Sequence, residues 1–411
     1  MNHSIQRTVL DNGLTVISES IPSVRSLSIG VWLKSGSRSE NVTNNGIAHF
    51  IEHMLFKGTK KRSALKIAQS LEDLGGSLNA YTSKEITCFF THTLDTQLLI
   101  SINVLSDMVC NSLFREKDIE KERMVVLEEI SSVKDTPEEY IFDLFQEKLY
   151  PGQSIGYPIL GTPETVYKFD RPAIEKFWSE NYQPENIVIS AAGNVNHDRL
   201  LKQIERNFQF NENTGRNEFI KPEAVTGFNI DVPESFNQSH ICIGLEGMSY
   251  HAKHRFELIA LNTYLGGGMS SRLFQIIREK NALAYSVYSM LDFYSDTGVM
   301  SIYLGTDQRN QERAIEMLYK EIDRLNNRPL SGNLVHKLKE QLKGSYVLSL
   351  ESISRRMSRL AKNEISYGRQ IPLDEVLSSI NRITPESMIE VARQIFSADK
   401  FNILKLSPSA N

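Results

Sequence analysis

The chain has 411 residues, 40% of them hydrophobic and 23% charged, which excludes a disordered or collagenous chain and a small stapled scaffold and leaves room for two or three cores. Its 46 basic residues against 50 acidic ones leave a net charge of −4, so no global basic field draws it to nucleic acid or anionic lipid, and neither is expected as a partner. Three scattered cysteines, Cys88, Cys110 and Cys242, make neither a disulfide framework nor a cysteine zinc site and fit a reducing compartment.

The first twenty residues, MNHSIQRTVLDNGLTVISES, lack the basic start and the apolar run of about 7–15 residues that a secretory signal needs, and no apolar stretch of about 18 follows. A cytoplasmic, non-membrane protein is expected. Alternating apolar runs at 14–18 and 27–33 predict strands, and a helical pattern runs from Gly46 to Phe56. A helix over 63–74 ends at Gly75-Gly76, and the stretch SLNAYTSKEITCFFTHTL that follows reads as two strands or one bent one. A further helix is expected over Glu116–Val133. Thr136-Pro137, Thr162-Pro163 and Thr384-Pro385 each place a capping Thr before a Pro at the first helical position. Glu139 completes the pattern of a capping box after Thr136. Interleaved strands and helices make this an α+β chain.

A weak internal repeat runs at about half the chain length. SIGVW followed by GIAHFIEHML in the first half is echoed by HICIGL followed by HRFELIALNTYL in the second, and each half closes with a helix and then a strand. Two domains of one fold are therefore expected, 1–210 and 228–411, joined by the polar stretch 211–227. The halves differ chemically, because only the first carries His49-Phe50-Ile51-Glu52-His53.

On a helix, residues four apart lie one turn above each other, so the imidazoles of His49 and His53 can converge on one ion. Catalytic zinc takes three protein ligands and a water whose pKa it lowers, and Glu52, on the same helix, is placed to take that water's proton. Phe50, Ile51, Met54, Leu55 and Phe56 give this helix a core-facing stripe, beside which unpartnered histidines would be costly. The helix 116–133 offers a third ligand. Glu122 and Glu129, nearly two turns apart, share a face, so one can reach a metal and the other the free ring nitrogen of a ligand. Val125, Val126 and Ile130 should pack this helix on its neighbours. Glu128 competes for the ligand position, and periodicity does not choose between it and Glu129.

HFIEHMLFKGT resembles the zinc-helix signature of the inverted-motif zinc peptidases of the pitrilysin type, in which HxxEH reverses HExxH. The likeness covers nearly the whole chain and is closest to the branch that includes the mitochondrial processing peptidase and the bacterial processing proteases. It implies two homologous α/β-sandwich domains, each a mostly antiparallel sheet packed with helices. By this resemblance the downstream glutamate of the family falls on Glu129, 76 residues after His53, giving His49, His53 and Glu129 as ligands of one Zn²⁺ per subunit. Glu122 matches the glutamate that orients a ligand, and Glu52 the general base.

Family members bind substrate as an added strand, and the matching segment here is Asn79-Ala80-Tyr81-Thr82. Main-chain pairing is sequence-tolerant, so an edge strand beside a metal lets one site cut many peptides. In the second half, LGGGMSSRLFQIIREKNALAYSVYS (265–289) lacks the GxxxxGK[ST] of a phosphate loop and follows a helix-like stretch. In the resembled family it is a recurrent signature, whose Arg and Tyr pair falls on Arg278 and Tyr285. Such a pair can stabilise the oxyanion of a tetrahedral intermediate. The chain departs from the family at Asn281-Ala282, where a basic residue and Gly are commoner.

The expected function is a zinc-dependent endopeptidase that cleaves unfolded or extended peptides, presequence-like segments among them, inside a dimeric clamshell chamber. One chain carries both the zinc motif and the Arg/Tyr pair, so a homodimer with composite active sites is expected. The alternative is a non-catalytic peptide-binding or assembly subunit of a processing peptidase-like complex. Such subunits typically lose parts of HxxEH, which is intact here.

Overall fold

The computed structural model describes residues 4–210, 219–397 and 400–409, so part of the expected linker, 211–218, lies outside the described residues. The first sheet is built from β1 (Ser4–Val9), β2 (Thr15–Ser20), β3 (Ser26–Leu33), β4 (Ser77–Thr82), β5 (Thr87–Leu94) and β6 (Ile187–Gly193), in the order β1-β2-β6-β3-β5-β4. β2 and β6 run parallel and every other pair antiparallel. In β3, alternation sends Leu27, Ile29, Val31 and Leu33 to one face and Ser28, Gly30 and Trp32 to the other, and all seven are buried. A strand buried on both sides needs cover on both.

The first face packs against α1 (Ile47–Leu55), α2 (Ala64–Glu72), α3 (Leu98–Asn111) and α4 (Glu116–Lys134), with Ile29, Val31, Phe50, Met54, Leu105 and Val126 in one core. The other face is covered by the helix Ile353–Tyr367. Its Met357, Leu360 and Ala361 pack on Ile17, Trp32 and Val188, and the Trp32 indole donates to Ser190 at 2.8 Å.

The second sheet contains β7 (Asn229–Glu234), β8 (Ser239–Glu246), β9 (Ala284–Phe293), β10 (Gly298–Thr306) and β11 (Asn402–Pro408), in the order β7-β11-β8-β10-β9. β7 and β11 are parallel and the rest antiparallel. Strand for strand this repeats β2-β6-β3-β5-β4, with no counterpart of β1 among the described residues. The helix Arg255–Gly266 packs on β9, and α5 (Pro137–Leu149) covers the other face, where Ile141, Phe145 and Leu149 meet Cys242, Tyr303 and Leu404. The two sheet-plus-helix domains expected from the repeat are thus present.

Their membership does not follow one cut in the sequence. One unit comprises 1–131, 157–220 and 349–370, and the other 132–156, 221–348 and 371–411. Each sheet takes its second covering helix from the opposite half of the chain, because the inner strands are apolar on both faces.

The predicted elements at 14–18, 27–33, 46–56, 63–74 and 116–133 correspond to β2, β3, α1, α2 and α4. The stretch after Gly76 is two strands, joined by a turn in which the Ser83 amide donates to Ile86 O at 2.8 Å. Capping boxes form at Thr162 and Thr384. The one expected at Thr136 does not: its hydroxyl donates to Ser132 O, at the end of α4, at 2.9 Å. Val126 and Ile130 are buried as expected, but Val125 is 49% exposed, since it lies one position off the packed stripe of α4. All three cysteines are free. Among the described residues no helix is long and apolar enough to cross a membrane.

Candidate metal centre

α1 begins at Gly46, whose φ of +94° is left-handed and where a Cβ would lie 2.6 Å from Leu160 O, so only glycine fits. The helix start is held from outside by Glu40. This buried carboxyl accepts from the Gly46 amide at 2.7 Å, the Ala48 amide at 2.8 Å and the Asn45 side chain at 2.9 Å. Burial pushes Glu40 up to about 8, against the pull of these donors. Ile47, Phe50, Ile51, Met54 and Leu55 then seat α1 in the core, with Phe50 edge-on to Phe169.

This seating turns His49 and His53 to one side, their ring centroids 4.5 Å apart. From α4, Glu129 Oε2 lies 3.7 Å from His49 Nε2 and 3.6 Å from His53 Nε2. The three residues can each offer a donor atom within 4.8 Å of the others. These separations are too long for hydrogen bonds and close to the about 3.3–3.4 Å between neighbouring ligands of a tetrahedral zinc. His49 is 93% buried, yet its Nδ1 has no hydrogen-bond partner. Burial first, and then the neighbouring His53, push its pKa down to about 3, so it presents a neutral imidazole. A buried, neutral histidine facing a second histidine and a carboxylate without hydrogen bonds fits a zinc ligand set.

Glu122 is 4% exposed; its Oε1 meets His53 Nδ1 at 2.9 Å and its Oε2 meets Lys57 Nζ at 2.6 Å. Burial works against its charge, but the bonds from His53 and Lys57 outweigh it and hold the carboxyl below its usual range. Burial likewise works to lower His53, and the Glu122 bond with the charges of Glu122, Glu129 and Glu52 raises it on balance. Glu128 is exposed, so the rotation of α4 presents Glu129 rather than Glu128 to the histidines. Glu52 is half-buried, and Thr82 Oγ1 donates to its Oε2 at 2.5 Å. Burial raises the Glu52 carboxyl, and Glu129 adds to the effect, while the Thr82 bond and His53 oppose it.

Asn79, Ala80, Tyr81 and Thr82 lie on β4, which among the described residues pairs only with β5 and forms one edge of its sheet. Arg278 and Tyr285 belong to the other unit. Arg278, in the π-helical turn Phe274–Glu279, stacks over the rings of Phe274 at 4.7 Å and Tyr285 at 5.0 Å. Tyr285 is 74% exposed. Both line an open groove of about 320 Å³ with Gln238, Thr306, Asp307 and Asn310. Of the glycines before them, Gly266 serves packing: a Cβ there would lie 2.2 Å from the Ser289 amide of β9. Sequence reasoning missed Glu40, Lys57 and the Thr82 hydroxyl. Lys57, one turn after His53, was the only one of these with a signal in its spacing.

Residues 15–163 match the family model described as Insulinase (Peptidase family M16), and residues 168–342 the model described as Peptidase M16 inactive domain. A Bacillus subtilis protein named "Uncharacterized zinc protease YmxG" is 40% identical over 408 residues, covering 99% of each chain. The chain belongs to peptidase family M16. A second M16 relative, the "Uncharacterized zinc protease SCO5738" of Streptomyces coelicolor, is 37% identical, covering 95% of this chain and 87% of its own length. Solved structures share the fold. A protease from Helicobacter pylori superposes with a TM-score of 0.93 at 23% identity, over 99% of this chain and 100% of its own. A Pseudomonas fluorescens structure titled as a peptidase M16 inactive domain gives 0.90 at 18% identity, over 99% and 98%. In this M16 chain the convergent histidines and glutamates all lie within the stretch matched by the first family model.

Proposed function

We propose that this chain is a zinc metalloendopeptidase that cleaves unfolded or extended peptides, presequence-like segments among them, and holds one zinc ion per subunit through His49, His53 and Glu129. The observation that carries this reading is the convergence of two imidazoles and a carboxylate, with Glu52 half-buried on the same helix. Zinc bound there would supply a Lewis acid that polarises a scissile carbonyl and lowers the pKa of water. Glu52 takes the proton of the attacking water and passes it to the leaving amine. Glu122, bonded to His53 Nδ1, fixes the tautomer that keeps Nε2 as a lone-pair donor. The free edge of β4 receives the peptide along Asn79–Thr82 by main-chain pairing.

Arg278 and Tyr285 donate to the carbonyl oxygen as negative charge develops there. In a homodimer closed as a clamshell, each site receives this pair from the partner subunit. Enclosure would restrict the enzyme to chains without compact structure, and the free cysteines fit the cytoplasm. The test is to incubate the zinc-loaded protein and its Glu52→Gln variant with unstructured peptides of about 10–30 residues and identify fragments by mass spectrometry. Cleavage by the wild type alone, with zinc retained in both, is the expected result. Absence of cleavage by zinc-loaded wild type sinks the peptidase reading, and a monomeric solution mass with full activity sinks the composite site.

A further inference from the structure

The side chain at the end of the edge strand holds a bond that main-chain pairing does not require. Thr82 is the last residue of β4, and its hydroxyl lies 2.5 Å from Glu52 Oε2, a distance typical of a donor on a charged carboxylate. A hydroxyl has one proton to give. Among the described residues, the only other side-chain oxygen within reach of Thr82 Oγ1 is Thr87 Oγ1, at 3.5 Å, and Thr87 spends its own proton on Ser35 O at 2.9 Å. The Thr82 proton is therefore committed to Glu52.

We propose that Thr82 is a positioning residue that fixes the Glu52 carboxylate by one oxygen, so that the other, Oε1, carries the proton through the reaction, and that it ties this orientation to the strand on which substrate lies. The inference rests on the peptidase reading above. A proton on Oε2 would face the Thr82 hydroxyl proton, and turning that hydroxyl away would leave it only the 3.5 Å contact with Thr87. Among the described residues, no hydrogen-bond donor other than Thr82 meets the Glu52 carboxylate, so Oε1 has no such competitor. As the water oxygen bonds to the carbonyl carbon, its proton moves to Oε1. As the C–N bond breaks, that proton moves to the amine nitrogen and Glu52 returns to its carboxylate. Because Thr82 ends β4, a peptide that pairs along the edge also stiffens the backbone from which Glu52 is held.

The test uses full-length zinc-loaded protein carrying Thr82→Val, which keeps the shape and removes the donor, and Thr82→Ser, which keeps the donor. With a fluorogenic unstructured peptide, Thr82→Val should lower kcat by about tenfold or more with KM within about twofold, and Thr82→Ser should recover most of the rate. Zinc content should be unchanged in both. A wild-type kcat in Thr82→Val, equal losses in both variants, or a loss confined to KM would overturn the proposal. A crystal structure of Thr82→Val gives a readout that needs no activity: a displaced Glu52 carboxylate supports the proposal, and an unmoved one overturns it. If wild type cleaves nothing, or Glu52→Gln cleaves equally well, the peptidase reading fails, and the structure of Thr82→Val still decides whether the hydroxyl sets the carboxylate.

Discussion

The helix α1 and the helix Arg255–Gly266 follow equivalent strands of two sheets with the same strand order, yet only one carries reactive groups. At an offset of 206 residues, the positions of His49, Glu52 and His53 are taken by Arg255, Leu258 and Ile259. Leu258 is fully buried, and this helix has no side-chain cap at its start. α1, by contrast, is seated by a buried carboxyl from a preceding loop and faced by two glutamates from α4. The scaffold therefore asks only for apolar positions at helical spacing, and the convergent histidines sit on one helix of one copy. That second copy lies in the stretch matching the family model described as inactive.

The strongest way to break this comparison is to empty the first site. Glu52→Gln should cost at least about 10²-fold in peptide cleavage while zinc content measured by atomic emission stays at the wild-type value. His53→Ala or Glu129→Gln should lose the metal itself, whereas Arg255→Ala in the second helix should alter neither quantity. Metal loss on Arg255→Ala would mean that the two copies are not chemically separate.

A smaller effect sharpens the difference at the helix starts. Glu40→Ala strands the Gly46 and Ala48 amides and the Asn45 side chain in a buried setting, which should cost about 2–4 kcal/mol in chemical denaturation. His254→Ala removes no side-chain cap and should stay within about 0.5 kcal/mol. Next comes Glu122→Gln, which weakens the hold on His53 Nδ1 and on Lys57. Zinc affinity, read by competition with a chelator, should fall about 10–100-fold, with denaturation of the metal-free protein little changed.

The parts of this molecule that were legible in the sequence are those governed by local spacing. Two histidines four apart, an apolar stripe beside them and a glycine at the helix start lie within ten residues, and the structure brings them together as that spacing demands. The repeat was legible because each copy builds the same strands in the same order. What escaped is set by contacts across long stretches of chain. Both faces of β3 and β6 are apolar, which signals a second covering layer, but nothing in the sequence names Ile353–Tyr367 as that layer. Glu40 and Thr82 act through side-chain hydrogen bonds to residues 5 to 30 positions away. The choice between Glu128 and Glu129 depends on the rotation of α4 about its axis. Thr136 shows a local rule overridden, because the end of α4 offered its hydroxyl a nearer carbonyl.

The smallest predicted effect lies where a helical turn enters the edge strand of each sheet. In the first, α2 leads to β4 through Gly75 at φ +72°, and in the second the turn Phe274–Glu279 leads to β9 through Ala282 at φ +50°. Both positions are left-handed, and a side chain there costs roughly 1 kcal/mol. The Ala282 conformation is imposed by its surroundings: its amide donates to Arg278 O at 3.0 Å, the Leu283 amide to Ile277 O at 2.9 Å, and the Asn281 side chain to Ile276 O at 2.7 Å. Part of the strain relieved by glycine is returned as extra freedom of the unfolded chain, so Ala282→Gly should stabilise by about 0.5 kcal/mol. A Cβ on Gly75 would meet nothing within 4 Å, so Gly75→Ala isolates the backbone cost and should destabilise by about 0.5–1 kcal/mol. Opposite signs in denaturant midpoints mean that the two junctions obey one backbone rule and differ only in the residue that fills it. Destabilisation by Ala282→Gly would mean instead that the Ala282 methyl, at the wall of the Arg278 groove, contributes packing that outweighs its strain.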